Sequence, residues 1–375
     1  MIYLDFNATT PVAPEAVAAM STFWSGDFYN PSAPYPEATT ARAAVEDARA
    51  ALAALLGSTP DTVVWTGGGT ESDNWALRGW WASRPGGRRR LLISAVEHPA
   101  VAETAAALRA EGAQVAALPV DDRGVVRLDA LEEALDVSTG LVSVMLANNE
   151  TGTIQPVAEI ARLAHAAGAL VHTDAAQAVG KIEVAVGDLG VDLLTVAGHK
   201  FYGPKGIGAL YIRPGLELPP LLAGGGQERG RRSGTENVPA VAGLGMAARL
   251  ARTWLDSGGP DRQARLRDDL EKRLRETVPG CRIFGRSAPR LPNTLALAVP
   301  GRQGAALLAA CPGIRAGTGS ACHHPDDTGS PTLRAMGVAP DWARGLVRLS
   351  LGRGTTAADI EAAAGILRRA ALRSD

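Results

Sequence analysis

The chain has 375 residues, of which 46% are hydrophobic and 21% charged, and its formal net charge is −1. This composition is typical of a globular protein with one large or two modest domains. A charge so close to zero excludes a global field that attracts nucleic acid or an anionic membrane, so neither is expected as a direct partner.

The N-terminus and the cysteines indicate the compartment. The opening residues, MIYLDFNATTPV, lack the basic-then-apolar pattern of a signal peptide. No apolar stretch reaches the roughly 20 residues that a membrane span needs. Three scattered cysteines, Cys281, Cys311 and Cys322, do not form a disulfide framework. The sequence therefore predicts a soluble, cytoplasmic protein.

Short apolar runs alternate with Ala-rich amphipathic segments between residues 60 and 215. The runs expected to be buried strands are TVVWT (62–66), RLLIS (90–94), QVAAL (114–118), LVSVMLA (141–147), ALVHT (169–173), DLLTV (192–196) and GALYI (208–212). Helical patterns such as VAEIARLAHAAG, which ends in a C-capping Gly168, lie between several of them. This alternation predicts an α/β fold with a mostly parallel seven-stranded sheet covered on both faces.

The pattern changes after the last of these strands. A long Ala-, Arg- and Leu-rich helical region is followed by short strands and by the terminal helix TTAADIEAAAGILRRAALR, which Thr355 or Thr356 is expected to cap. This part resembles a smaller α+β domain. The predicted division is a large domain over residues 14–256 and a small domain over residues 1–13 and 257–375.

Ligands of such sheets bind at the carboxyl ends of the strands, so the residues there are the first candidates for a site. GGGTESDN, with Gly69 and Thr70, opens a helix whose free N–H groups suit an anion, although such turns also occur for packing reasons. His98 precedes Pro99 at the start of the next helix, and Asn149 lies in NNETG, which also suits a turn. Each signal alone is compatible with a structural role.

The next two strand ends are sharper signals. Asp174 ends an apolar strand, where a carboxylate needs a cationic partner, and Gln177 follows it. Lys200 ends the following apolar strand, where an ammonium is rarely structural and an amine nucleophile is a better interpretation. A protonated pyridine nitrogen would pair with the aspartate. Together with the upstream anion site, these residues fit pyridoxal phosphate.

The chain resembles the cysteine desulfurases of the fold-type I, class V aminotransferase group nearly end to end. The matching motifs, in the family's order, are YLDFNATTPV, NPSA, GGTESDN, EH, ANNETG, HTDAAQAVGK, AGHKFYGPKGIGALY, GGGQERGRRSGTEN, GSAC and VRLSLGR. The resemblance implies a pyridoxal-phosphate-dependent transferase of fold type I. It also implies a homodimer with shared active sites.

The resemblance further implies which residues hold pyridoxal 5'-phosphate. Lys200 is similar to the lysine that bonds to it, Asp174 to the partner of its pyridine nitrogen, and Gln177 to the donor to its phenolic oxygen. His98 would stack on the ring and assist proton transfers, and Asn149 would bind close to the cofactor. The residues similar to those at the phosphate are Gly69, Thr70, Ala197, His199 and, from the neighbouring subunit, Thr235.

L-Cysteine is the implied substrate. Arg348 would hold its carboxylate through two parallel hydrogen bonds, with Asn30 and Asn149 nearby. Lys200 would remove the α-proton, and Cys322, as a thiolate on a loop, would attack the substrate sulfur. Alanine would leave, and a persulfide would remain on the cysteine for a sulfur-acceptor protein.

The sequence departs from the family's pattern at three places. Ala197 replaces a serine that donates to the phosphate, and Tyr35 replaces the histidine of the NPSS-x-H motif. The segment HHPDDTGSP follows Cys322, where small residues are usual. Ala197 should remove one hydrogen bond to the phosphate, and the altered segment after Cys322 concerns the sulfur acceptor more than the removal of sulfur.

Other interpretations stay open at this stage. Cys322 could be a buried thiol, or a metal ligand with His323 and His324, although adjacent residues rarely converge on one ion and no metal is expected. The scaffold could belong to a selenocysteine lyase, an aminotransferase or a catalytically silent accessory protein. The pathway that receives the sulfur could be iron–sulfur cluster assembly, tRNA thiolation or DNA phosphorothioation.

Overall fold

A computed structural model describes residues 1–83, 87–319 and 329–373. The strands are β1 Ile2–Tyr3, β2 Val63–Thr66, β3 Arg90–Ser94, β4 Gln114–Leu118, β5 Thr139–Ser143, β6 Leu170–Asp174, β7 Leu193–Ala197, β8 Gly208–Ile212, β9 Arg282–Phe284, β10 Thr294–Ala298, β11 Ile314–Arg315 and β12 Val347–Ser350. The α-helices are α1 Pro14–Ser21, α2 Ala38–Leu55, α3 Gly69–Ser83, α4 Pro99–Ala110, α5 Leu128–Ala134, α6 Val157–Ala166, α7 Val186–Leu189, α8 Val238–Asp256, α9 Gly259–Thr277, α10 Gly304–Ala309, α11 Pro331–Ala335, α12 Pro340–Arg344 and α13 Ala357–Leu372. Over the described ranges, none of these helices combines the length and apolar character needed to span a bilayer.

Seven strands form the large sheet in the order β2-β8-β7-β6-β5-β3-β4. Every neighbouring pair is parallel except the two pairs that involve β8, which runs antiparallel to β2 and β7. The prediction of a mostly parallel seven-stranded sheet is thereby confirmed. Its parallel strands β5, β6 and β7 lie side by side, so their carboxyl ends meet at one edge.

Helices cover both faces of this sheet, as the apolar strands require. Leu92 belongs to an apolar cluster that contains residues of α2, α6 and α8. Its neighbours Leu91 and Ile93 belong to a second cluster, with residues of α3 and α4. Because successive side chains of a strand point to opposite faces, the two clusters are the two sides of the sheet.

A smaller sheet, β12-β10-β9, is antiparallel, and β1 pairs in parallel with β11. Residues of β10, β12, α9 and α13 share a third apolar cluster, to which Leu4 near the N-terminus belongs. Asp5 also bridges to Ser350 of β12. The first residues of the chain therefore pack with its last third, and the division at 14–256 stays a prediction.

The strand expected over 141–147 differs in its bounds. The structure has β5 at Thr139–Ser143, and from Val144 onward the backbone bonds to two different partners. Leu146 N–H still donates to Asp174 O on β6 at 2.8 Å. Met145 N–H donates instead to the Glu97 carboxylate at 2.8 Å, which ends the regular ladder.

Helix ends follow their sequence signals. Gly168, with φ +74°, follows Ala167, the C-cap of α6, in a backbone conformation that favours glycine. Of the two candidate caps for α13, the structure selects Thr356, whose side chain accepts the Asp359 N–H while the Asp359 carboxylate accepts the Thr356 N–H. This reciprocal pair is a capping box.

Candidate active site

Two oppositely charged side chains lie at neighbouring strand ends. Asp174 is the last residue of β6, and Lys200 closes a short 3-10 turn directly after β7. The ammonium and the carboxylate interact, since each shifts the pKa of the other towards the charged form. The structure therefore brings together the two residues that the strand ends singled out.

The Lys200 amine is held by the N-terminal segment. Its Nζ donates to Asn7 O at 2.7 Å and to Ala8 O at 3.0 Å. Burial, followed by the nearby Arg348 guanidinium, lowers the pKa of this amine from 10.5 to about 8, and Asp174 opposes the shift. A lysine with such a pKa exchanges its proton near neutral pH, as a general base must.

This pKa gives a prediction for the cofactor-free protein. The chain has only four lysines, Lys181, Lys200, Lys205 and Lys272, so lysine-selective ¹³C labelling gives few signals. We expect the Lys200 signal, assigned by its loss in Lys200→Ala, to titrate near pH 8, in contrast to the ordinary 10.5. Asp174→Asn removes an attractive charge and should lower this midpoint further. A midpoint near 10.5 would contradict the burial of the amine.

The lowered pKa of Lys200 also determines how its contribution to stability changes with pH. Between about pH 8 and 10.5 the unfolded chain keeps the Lys200 proton while the folded chain has lost it. The unfolded state then binds more protons, so the contribution of this amine to the free energy of unfolding rises with pH across that window.

Asp174 shares its pocket with two further titratable groups. One ligand atom each of Asp73, His98 and Asp174 lies within 4.8 Å of the others, a spacing that would also suit a metal ion. Burial raises the pKa of both carboxyls, and that of Asp73 lies well above its usual value because Asp174 repels it as well. The ionised form of Asp174 therefore gains most from a cationic partner.

His98 caps the helix that follows β3. Its Nδ1 accepts the Ala100 N–H at 3.1 Å, so in the neutral ring the proton lies on Nε2. Burial lowers the pKa of His98, with Asp174 opposing the shift, which favours this neutral form. The ring thus offers one N–H donor of known position.

The glycine-rich turn before α3 faces the end of β7. A Cβ on Gly69 would lie 3.3 Å from the Cβ of Ala197, so the two residues are in close contact. Thr70 is exposed at the helix start, and His199 donates to or accepts from Thr9 Oγ1 at 3.1 Å through Nδ1. Burial, followed by Lys200, lowers the pKa of His199 to about 4. The helix N-terminus and these side chains form a cradle suited to a phosphate.

An ion pair joins this turn to the loop that carries Thr235. Glu71 accepts the Gly67 N–H at 2.7 Å and pairs with Arg232 at 3.0 Å. Thr235 itself is exposed on the chain. The ion pair therefore attaches this loop to the edge of the site, and the threonine on the loop is exposed.

Arg348 lies on β12 with its side chain buried. One terminal nitrogen donates to Asn149 O at 2.9 Å and the other to the Asp5 carboxylate at 2.7 Å. Its Nε is buried and has no hydrogen-bond partner among the described residues. The positive charge of the guanidinium contributes to lowering the pKa of Lys200.

Asn30, by contrast, is not assembled with this group. Asn30 is exposed, and its Oδ1 accepts the Ser32 N–H at 2.9 Å. Cys322, with His323 and His324, lies outside the described residues. Of the other thiols, Cys311 is buried, as expected for a structural cysteine, and burial raises the pKa of the half-buried Cys281 to about 11.

Sequence reasoning missed several buried polar residues of the site. They are Asn7, Asp73, Glu97 and Lys181. Lys181 offered a signal, because it follows Gln177 by four residues and so lies close to it in a turn. Asn7 offered none, since its partners are distant in sequence.

The residues present fit pyridoxal phosphate. The buried Asp174 suits a pyridinium, the lysine amine of lowered pKa suits an aldehyde, and the cradle at Gly69 suits a phosphate. A mostly parallel sheet with this aspartate and lysine at neighbouring strand ends is the architecture of fold-type I pyridoxal-phosphate enzymes. The fold and the site thus define the class.

Comparison with known proteins agrees with this class. The family model described as Aminotransferase class-V matches residues 2–363. A cysteine desulfurase of Gluconacetobacter diazotrophicus is 46% identical over 364 residues, which cover 96% of this chain and 90% of that protein. A solved NifS-like protein has a TM-score of 0.91 at 36% identity over 98% of both chains. A structure of SspA in complex with cysteine has a TM-score of 0.85 at 34% identity, covering 95% of this chain and 100% of that one.

The chain belongs to the class-V aminotransferase family of enzymes. Members of this family generally depend on pyridoxal phosphate. The resemblance found in the sequence is thereby confirmed, and so is the fold class expected from it.

Proposed function

We propose that the protein is a cysteine desulfurase, which takes sulfur from L-cysteine, releases L-alanine and passes the sulfur through Cys322 to an acceptor protein. The observation that carries the proposal is the pair formed by the buried Asp174 and the half-buried Lys200 at neighbouring strand ends. It occurs in a chain whose relatives over 96% of its length are cysteine desulfurases. A silent scaffold would have no need of an amine with a lowered pKa.

Pyridoxal 5'-phosphate, when bound, would supply an electron sink for negative charge that develops at the substrate α-carbon. Asp174 would hold its carboxylate against the pyridine nitrogen, where burial strengthens the attraction. The phosphate would lie at the start of α3, near Gly69, Thr70 and His199. With Ala197 in place of a serine, the β7 end gives that phosphate no hydroxyl donor.

The side chains around the substrate have separate tasks. Lys200 accepts the α-proton at Nζ, which its lowered pKa permits near neutral pH. Arg348 binds the substrate carboxylate, with Asn149 beside it, and the resemblance adds Asn30. His98 in its neutral form offers Nε2–H as a proton donor to the reacting substrate.

Cys322 takes the sulfur. Its thiolate attacks the sulfur of L-cysteine, a new S–S bond forms, and the carbon–sulfur bond breaks. The electron pair of that bond remains on the substrate carbon, which gains a proton and leaves as L-alanine. The cysteine keeps the sulfur as a persulfide, and an acceptor thiol can then remove it.

We infer that the active enzyme is a homodimer. Thr235 is exposed on a loop that the ion pair of Glu71 with Arg232 ties to the phosphate cradle. Such a loop is placed to contribute its threonine to the cradle of a neighbouring subunit. The acceptor remains open among iron–sulfur scaffolds, tRNA-thiolating enzymes and proteins of DNA phosphorothioation.

The proposal is tested by incubating the protein with L-cysteine, then measuring alanine and mapping the persulfide by mass spectrometry. We expect alanine, and a persulfide on the peptide that contains Cys322. Cys322→Ser should lose the persulfide and lower alanine formation at least about 100-fold, as loss of a nucleophile does. Cys281→Ser is the matched control and should leave both unchanged.

Three outcomes contradict the proposal. Undiminished alanine formation by Cys322→Ser would show that this cysteine is not the nucleophile. Formation of 3-mercaptopyruvate from L-cysteine that depends on an added 2-oxo acid would identify an aminotransferase, and a strong preference for selenocysteine would identify a lyase.

A further inference from the structure

The chain uses lysine sparingly. Of its 38 lysines and arginines only four are lysines, and two of these, the buried Lys181 and the half-buried Lys200, lie in the same region. Lys181 is only 6% exposed, and the steps derived above do not use it. An ammonium or amine buried this deeply is costly unless it is hydrogen-bonded, so its contacts require an explanation.

Lys181 contacts two amide oxygens. Its Nζ donates to Gln177 Oε1 at 2.6 Å and to Asn7 Oδ1 at 2.9 Å. A lysine amine has N–H groups to donate, whereas an amide side chain has an accepting end and a donating end. The contact therefore turns the side-chain oxygen of Gln177 towards Lys181, and the NH₂ group of the same amide must face away from Lys181.

The opposite side of Gln177 is the active site. Its Nε2 donates to Asn7 O at 3.0 Å, and the same oxygen accepts Lys200 Nζ at 2.7 Å. The donating end of the amide is thus presented next to the reactive amine. Rotating the Gln177 amide by half a turn would bring its NH₂ group against the N–H groups of Lys181, so that donor would face donor. The amide oxygen, an acceptor, would then face the active site.

Asn7 is itself fixed in one orientation. Its Oδ1 also accepts Asn293 Nδ2 at 2.9 Å, and its Nδ2 donates to Thr294 Oγ1 at 2.9 Å and to Asn149 O at 3.3 Å. Its backbone N–H donates to Ser350 Oγ at 2.9 Å. Since every polar group of Asn7 is engaged, the support behind Lys181 cannot reorient without breaking several buried hydrogen bonds.

The charge of Lys181 agrees with this task. Burial, followed by the neighbouring Lys200 and Arg348, lowers the pKa of Lys181 well below its ordinary value. A neutral amine has two N–H groups, and Lys181 has two acceptors in contact. It can therefore act as a donor without adding a second positive charge beside Lys200.

We propose that Lys181 is a positioning residue that fixes the side-chain amide of Gln177, so that its NH₂ group donates to the phenolic oxygen of bound pyridoxal phosphate. The proposal rests on the proposed function for the presence of that cofactor. It assigns to Lys181 the role of orienting the donor.

The experiment measures the dissociation constant of pyridoxal phosphate. Cofactor-free wild type, Lys181→Met, Gln177→Ala and the double variant are titrated and followed by visible absorbance. We expect each single variant to bind about tenfold more weakly, the effect of one hydrogen bond. The double variant should bind no more weakly than Gln177→Ala, because the lysine acts through the glutamine.

Two controls separate positioning from folding. Lys272→Met makes the same change at an exposed lysine and should bind as the wild type does. Lys181→Gln keeps N–H donors and should bind within about threefold of the wild type, and Lys181→Ala replaces Lys181→Met if that variant fails to fold. Additive losses in the double variant, or a Lys181→Gln as weak as Lys181→Met, would overturn the proposal.

The same titration separates this proposal from the function. Wild type that binds the cofactor but makes no alanine from L-cysteine contradicts the desulfurase and leaves the positioning role standing. Wild type that makes alanine while the two substitutions act independently contradicts the positioning role alone. Wild type that does not bind pyridoxal phosphate overturns both.

Discussion

Replacing Lys200 with alanine is expected to lower alanine formation from L-cysteine by about 10³-fold, within the range for loss of a positioned general base. The amine lies among the carbonyls of Asn7 and Ala8 with a pKa of about 8, so no other described lysine is placed to substitute for it. The variant should also lose the stable visible absorbance of a covalently held cofactor. Steady-state alanine assays and absorbance spectra of the purified protein check both results.

Lys205→Ala is the matched control for this change. Lys205 follows the same turn by five residues and is exposed. We expect its activity and spectrum to match the wild type. If Lys200→Ala keeps activity within tenfold of the wild type, the assignment of the proton acceptor is wrong.

The second large effect is expected at Asp174. Asp174→Asn conserves the size of the side chain and removes only its charge. Breaking a buried charge pair from one side costs about 3–5 kcal/mol, so the dissociation constant of pyridoxal phosphate should rise at least about 100-fold. Titration of cofactor-free protein measures it directly.

Asp73→Asn supplies the comparison, because the same chemical change is made at a neighbouring buried carboxyl. Burial and the repulsion from Asp174 raise the pKa of Asp73 well above its ordinary value, which favours the neutral form of this side chain. Substituting a neutral amide should therefore change the dissociation constant by about threefold at most. Equal losses of affinity for pyridoxal phosphate in the two variants would show that the negative charge is not located on Asp174.

The sequence predicted the sheet well because each of its strands is a short apolar run between turn signals. β5 is the exception: the apolar run continues to residue 147, but the strand ends at Ser143. The reason is the Glu97 carboxylate, which takes the Met145 N–H. No local pattern reveals that a side chain from another strand end will occupy a position in the ladder.

The residues of the site likewise divide into those that the sequence predicts and those that it does not. Asp174 and Lys200 could be predicted because each follows an apolar strand, and parallel strands bring their ends together. Asn7 could not be predicted, since its partners Asn293 and Lys181 are 286 and 174 residues away. Its role depends on how the N-terminal segment packs between the two sheets, which is a property of the tertiary structure.

That packing determines when, during synthesis of the protein, the active site can form. Lys200 takes its position from the carbonyls of Asn7 and Ala8, and Asn7 in turn is bonded to Ser350 on β12. The ribosome makes Asn7 and Ala8 long before it makes β12. A nascent chain stopped before β12 would therefore contain both Lys200 and Asp174 and still lack the contacts that fix the reactive amine, so the active site is completed only after β12 has been made.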